Sequence, residues 1–250
     1  MRRVVITGMG GVTPIGIGLD AIWDNAVAGR SGIGPLTMWD ASNQKCRIAG
    51  EVRGFEPGKW MQPKHLKRMD DFARFAVAAS VMAVEDAGLD TSEHQGRRIG
   101  VLLGNNNGGA RTIFKTVSIF LNEGPDAVSP FYITAITTSL GAGQVAIRLG
   151  LRGPNFTIGN ACASGCNAVG EAWRYIRDGV VDTVLAGGSD ALIDPTEVAG
   201  FANSRAVSCS HNDDPERASR PFDKARDGFV LSEGAAMCVV ESLEHAQARG

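Results

Sequence analysis

Short apolar runs bounded by glycine or proline alternate with longer stretches whose apolar residues recur at helical spacing. The runs at 3–8, 47–52, 99–104, 154–158, 182–188 and 234–241 read as strands, most of them buried. Helical periodicity predicts helices over 19–28, 63–87, 139–149, 163–177 and 243–249. In the second of these, Phe72, Phe75, Ala76, Ala79, Met82 and Ala83 share one face, and Gly29 and Gly88 supply stops for the first two. Strands and helices alternate throughout, which predicts an α/β fold with a mostly parallel sheet covered on both faces. The polar stretch 208–228 reads as a solvated loop with nearly balanced charge, and Gly187-Gly188 as a flexible pair ending a strand.

The most informative stretch lies between the run at 154–158 and the helix at 163–177. Gly159-Asn160-Ala161-Cys162-Ala163-Ser164-Gly165 has room only for a sharp turn, which puts Cys162 at a helix N-terminus. Free backbone N–H groups and the helix dipole there favour a thiolate and can hold a tetrahedral oxyanion, as in a nucleophile elbow built on cysteine. Ala163 and Gly165 leave space for a substrate. A single cysteine is more often an inert buried residue, so this reading needs the rest of the chain.

Other motifs carry less. Gly8-Met9-Gly10-Gly11-Val12-Thr13 has Thr13 where the dinucleotide fingerprint needs its last glycine, and Pro14 delays any helix, so a structural turn is the better reading. Lys64, Lys67 and Arg68 stand at i, i+3 and i+4 on the expected helix, either as a solvated basic end or as a docking face for an acidic partner. Asn105-Asn106-Asn107 follows a strand, where α/β sheets open a crevice, and is either a pocket lining or a turn.

Composition narrows the setting. A chain of 250 residues that is 44% hydrophobic can bury a core, and a net charge of −2 gives no field for nucleic acid. No apolar stretch is long enough to span a bilayer, and Met1-Arg2-Arg3 runs straight into a strand without a secretory pattern. The five cysteines lack metal or disulfide spacing, and no carboxylate or histidine completes a set beside Cys162 and Cys166. The expectation is a reduced, cytoplasmic protein without metal, cofactor, nucleic-acid or membrane partner.

Taken together, several stretches resemble the β-ketoacyl-acyl-carrier-protein synthase family, most of all its type II condensing enzymes. They are Arg3-Val4-Val5-Ile6-Thr7-Gly8-Met9-Gly10, Gly150-Leu151-Arg152-Gly153-Pro154, Ala161-Cys162-Ala163-Ser164-Gly165, Ala186-Gly187-Gly188, and the run from Ser219 to Val230 containing Arg220-Pro221-Phe222-Asp223. The resemblance covers the whole chain. It implies a thiolase-like fold of α-β-α-β-α layers, with residues 1–250 as its N-terminal half, and a homodimer or a heterodimer with a related chain. It also implies decarboxylative condensation in fatty acid, polyketide or polyene synthesis, with Cys162 accepting an acyl group from acyl-carrier protein and malonyl-carrier protein as second substrate. Ala163, Asn107 and Phe201 match substrate-binding positions, while Lys64, Lys67, Arg68 and Arg205 match carrier-docking ones.

The family's two catalytic histidines belong to the second half; His65, His94, His211 and His245 lie outside matching motifs. There are departures as well. Asp126-Ala127 replaces a basic pair, Asn107 an apolar gate, Ser139 an asparagine and Ser232 a glycine. Two other functions are compatible with the motifs: an acyltransferase or polyketide synthase subunit that keeps Cys162 without extending fatty acids, and a non-catalytic partner subunit of the chain-length-factor kind. Retention of Cys162 argues against the last.

Overall fold

A computed structural model of the chain describes residues 2–92, 96 and 98–250. Its centre is a six-stranded sheet whose strands alternate apolar side chains between two faces. The elements that build it are β1 (Val4–Thr13), β2 (Gly16–Ile17), β5 (Ile99–Gly104), β6 (Asn155–Ile158), β7 (Thr183–Asp190) and β8 (Gly234–Ser242), in the order β2-β1-β8-β7-β5-β6. A separate two-stranded ribbon joins β3 (Gly34–Pro35) to β4 (Ile48–Ala49).

The alternation decides which helix covers which face. Val101, Leu103, Leu185, Met237 and Val239 point to one side, where they pack with α3 (Asp71–Asp86) and α6 (Ser139–Leu149). Leu102, Val184, Ala186 and Val240 point to the other, against Ala168, Ala172 and Ile176 of α7 (Ser164–Arg177). The result is an α/β/α sandwich. The remaining helices are α1 (Leu19–Val27), α2 (Pro63–Leu66), α4 (Ala110–Glu123), α5 (Tyr132–Ile136), α8 (Pro195–Asn203) and α9 (Leu243–Ala248). A third apolar cluster, with Cys46, Ile48, Val198, Ala202 and Leu231, ties the β3–β4 ribbon to α8.

Several expectations need correction. The sheet is mixed rather than mostly parallel: β5 runs parallel to β6 and β7, whereas β8 lies antiparallel between β1 and β7. Buried strands of either sense read as the same apolar run, so sequence alone does not separate them. β6 is an edge strand with Asn155 exposed and the rest half-buried, not a fully buried one. The stretch 47–52 contributes only the two residues of β4. The expected helix 63–87 is two helices, broken between Leu66 and Asp71, with Asp70 in an extended conformation as N-cap of α3. Lys67 and Arg68 therefore leave the helix that carries Lys64. Gly187 and Gly188 are inside β7, which continues to Asp190, and are not a flexible end. Helices α4, α5 and α8 were not expected. The 208–228 stretch is largely irregular as expected, yet Ala218 within it is fully buried.

The N-terminal glycines also have a different role. β1 runs on to Thr13 through a bulge between Ile6 and Gly8, so Gly8, Gly10 and Gly11 sit in a strand and make no turn. A Cβ at Gly10 would overlap the Ala79 carbonyl oxygen of α3, and one at Gly8 the Ala83 carbonyl. Glycine there lets a helix lie directly on the strand backbone. His94 lies outside the described residues. No helix among the described residues is long and apolar enough to cross a membrane.

Replacing Gly10 by alanine is expected to destabilise the protein by about 1–3 kcal/mol through overpacking against α3. Thermal and denaturant unfolding of the variant beside the parent measures it.

Candidate active site at the Cys162 turn

Cys162 sits where β6 hands over to α7. The turn is fixed by its own side chain and backbone bonds. Ser164 Oγ accepts the Asn160 N–H at 2.7 Å and donates to the Ala161 carbonyl at 2.7 Å. The N–H groups of Ala163 and Ser164 donate to the carbonyls of Asn160 and Ala161, both at 3.1 Å. Ala161 is left-handed, with φ 46°, an uncommon conformation for a residue with a side chain. Cys162, Ala161 and Ala163 are exposed, whereas Ser164 is buried.

The sheet brings the turn close. Gly104 at the end of β5 and Gly188 in β7 are paired in register. A Cβ on Gly104 would overlap the Gly165 nitrogen, and one on Gly188 would lie 3.1 Å from the Gly165 Cα. The first turn of α7 thus rests on bare backbone. The cleft around it measures about 430 Å³ and is lined by Cys162, Ser164, Gly188, Asp190, Ser232 and Glu233 among others.

Two carboxylates of this cleft escaped the sequence reading. Burial pushes the Asp190 carboxyl up to about 6, against backbone bonds that lower it. Asp190 Oδ1 accepts from Asn105 Nδ2 at 2.9 Å, and Asn105 also donates to the Ser189 carbonyl at 2.8 Å and accepts the Gly108 N–H at 2.9 Å. The Asn105–Gly109 loop is thereby latched to the end of β7. Glu233 is buried, takes the Val52 N–H at 2.8 Å and pairs with Arg111, which also holds Asp71 at 2.8 Å. The sequence signals were slight: Glu233 precedes the strand glycine Gly234, and Asp190 follows Gly187-Gly188 by two residues.

The other candidate residues scatter. Asn107 lines a separate groove of about 450 Å³ between α4 and the start of α8, with Glu197 Oε1 3.5 Å from its Nδ2. Phe201, half-buried on α8, packs edge-on against Phe229 with centroids 5.5 Å apart. Lys64, Lys67 and Arg68 are exposed, and Arg68 lies over the Phe131 ring at 5.1 Å. Arg205 is exposed just beyond α8 with φ 60°. Among the described residues no histidine lines the cleft. His65 lines a groove beside Trp60, His211 bonds within the 208–228 loop, and His245 pairs with Glu241 at 2.7 Å.

Asp194 caps α8 by accepting the N–H groups of Thr196 and Glu197 at 2.8 and 3.1 Å. The sequence Asp194-Pro195-Thr196-Glu197 is a capping signature that would have located this helix.

Comparisons with known proteins converge on one family. Residues 1–246 match the family described as "Beta-ketoacyl synthase, N-terminal domain". The chain is 46% identical over 249 residues to the 3-oxoacyl-[acyl-carrier-protein] synthase 2 of Synechocystis sp., and 42% identical to that of Vibrio cholerae. Each match takes in 100% of this chain and 60% of the relative, so the chain spans about three-fifths of those proteins. Among solved structures, the ishigamide ketosynthase/chain length factor superposes with a TM-score of 0.91 at 36% identity, over 100% of this chain and 60% of that one. The type II polyketide synthase complex AntDE:AntF, an acyl-carrier protein with its ketosynthase bound to the hexaketide, gives 0.86 at 31% identity, over 100% and 60%.

The raised Asp190 carboxyl has a consequence for stability. Between about pH 4, where an unfolded aspartate titrates, and about 6, the folded state binds more protons than the unfolded one. Stability therefore falls as pH rises through this window and is flat above it. Asp190→Asn keeps an acceptor for Asn105 and removes the charge. It is expected to be more stable than the parent at pH 7 by roughly 1–2 kcal/mol, with the gain vanishing near pH 4. Denaturant unfolding of both proteins across that range reads the difference; a gain that does not depend on pH contradicts the assignment.

Proposed function

The chain belongs to the β-ketoacyl synthase family, and from that premise we propose that it is the N-terminal domain, residues 1–250, of a carrier-protein-dependent condensing enzyme. In this reading Cys162 is the nucleophile. Its sulfur attacks an acyl-carrier-protein thioester, the carrier thiol leaves with the proton, and the acyl chain stays on Cys162. Malonyl-carrier protein then loses carbon dioxide, its carbanion attacks the acyl carbon, and the Cys162 thiolate departs. The product is a β-ketoacyl-carrier protein.

The observation that carries this reading is the exposed Cys162 on a tightly bonded turn before α7, facing an open cleft. A thiolate serves as both nucleophile and leaving group, while the Ala163 and Ser164 N–H groups are taken by the Asn160 and Ala161 carbonyls and do not serve the oxyanions. No histidine reaches the cleft among the described residues, so this domain supplies the acyl-enzyme step. The groups that activate malonyl thioester come from a second half, as the family resemblance implies. The likeness to 3-oxoacyl-[acyl-carrier-protein] synthase 2 relatives favours fatty acid synthesis. A second reading, one subunit of a ketosynthase/chain length factor pair, is favoured by the likeness to the ishigamide protein. The docking partner is acyl-carrier protein, met by the exposed Lys64, Lys67 and Arg68 and by Arg205.

Cys162→Ala in the full-length protein is expected to abolish the acyl-enzyme seen by intact-mass spectrometry after incubation with acyl-carrier protein. An acylated variant removes Cys162 from its role. Lys67→Glu with Arg68→Glu is expected to weaken carrier binding about tenfold at low salt, with the difference shrinking as ionic strength rises. Calorimetric or surface-based binding across a salt series tests this.

A further inference from the structure

The groove next to the Cys162 cleft has two walls of opposite chemistry. One wall is α4, presenting Ala110, Ile113, Phe114 and Val117; the other holds Asn107 and Glu197. The wall between groove and cleft is thin. Asp190 lines the cleft and accepts from Asn105 Nδ2 at 2.9 Å and from the Asn106 N–H at 3.5 Å, and the next residue, Asn107, lines the groove. The groove is thus the cavity on the far side of this loop from Cys162.

The polar wall is incompletely used. Oδ1 of the neighbouring Asp194 is committed to capping α8. Glu197 has one long contact, 3.5 Å from Asn107 Nδ2, and its second oxygen takes no hydrogen bond among the described residues. A saturated chain filling the groove would strip water from Glu197 and Asn107 and return no hydrogen bond. A hydroxyl on the chain donates to the Glu197 carboxylate, and an oxo group accepts from Asn107 Nδ2. The hydrocarbon part of either chain still packs on Ile113, Phe114 and Val117.

We propose that Asn107 and Glu197 form a polar clamp that selects acyl chains bearing a hydroxyl or oxo group over saturated chains of equal length. The proposal rests on the acyl-transfer role given to Cys162 above. In that transfer the bond from the acyl carbon to the carrier sulfur breaks, the bond to Cys162 Sγ forms, and the Cys162 thiol proton ends on the carrier thiol. The clamp acts on the chain and leaves this exchange unchanged.

The test is a competition. Full-length protein is offered decanoyl-carrier protein together with a mono-hydroxylated or mono-oxo decanoyl-carrier protein, the oxygen being placed at successive carbons. The ratio of the two acyl-Cys162 species is read by intact-mass spectrometry, and this ratio does not depend on how much of a variant is folded. The parent is expected to favour at least one oxygenated chain by about tenfold, since a site with polar groups to satisfy discriminates against a ligand that leaves them unpaired. Glu197→Leu and Asn107→Leu are expected to bring the ratio to about one, whereas Glu197→Gln, which keeps hydrogen-bonding groups in the same shape, retains most of the preference. Equal acylation by all donors in the parent, or a ratio that none of the leucine variants changes, overturns the clamp while leaving Cys162 as the acyl acceptor; the groove is then a surface for another occupant, such as a partner chain. Absence of acylation by any donor overturns the acyl-transfer reading and the clamp together.

Discussion

Backbone-to-backbone contact at Gly104 and Gly188 is the constraint on which the site depends. The start of α7 reaches the sheet so closely that the Gly104 position has no room for a methyl group. That seat fixes where the helix begins, and with it the height of Cys162 above the strand ends. The Ser164 hydroxyl then fixes the turn from the helix side, by bonding both Asn160 and Ala161. A left-handed Ala161 is the conformational cost of joining an edge strand to a helix held this low. Small residues at Ala168 and Ala172 continue the same close approach along α7. Cys162 is therefore positioned by what the sheet lacks as much as by what it presents.

Much of this was legible in the chain. The strand, turn and helix around Cys162 follow from an apolar run, a short glycine-bounded stretch and a small-residue helix. The direction of β8 was not legible, because its run Ala235-Ala236-Met237-Cys238-Val239-Val240 has no polar alternation to betray its neighbours. Helix α4 was missed although Ile113, Phe114, Val117, Phe120 and Leu121 follow a helical period. They come after an asparagine- and glycine-rich loop, and their side chains remain partly exposed, so they do not resemble core. Asp70 divides α2 from α3, but in sequence it sits inside an unbroken helical pattern. Its carboxylate turns away from the helix to bond Thr112 instead, at 2.9 and 2.6 Å. Contacts between residues distant in sequence, such as Asp190 with Asn105 or Arg111 with Glu233, have no local signature at all.

The two cavities are built differently. The cleft is made of strand ends and a helix start, all pinned by backbone contacts and by buried carboxylates with assigned partners. The groove is made of helix surfaces, α4 and the first turn of α8, together with Asn107. The cleft and the groove thus rest on different kinds of structure, joined through the Asn105–Gly109 loop and through the segment from Asp190 to Asp194.

The position of β8 has a further consequence, for the order in which the sheet assembles. β1 pairs with β8 from Val4 to Ser242, and β8 alone separates it from β7. As the chain emerges from the ribosome, β5, β6 and β7 can meet through local crossovers, whereas β1 must wait for residues 234–242. During that time β2 is the one strand paired with β1 among the described residues, while α1 and α3 are already available to pack on it. Closure of the sheet is a late, long-range event in the sense that governs folding rates. The first strand of this sheet is secured only when its last strand arrives.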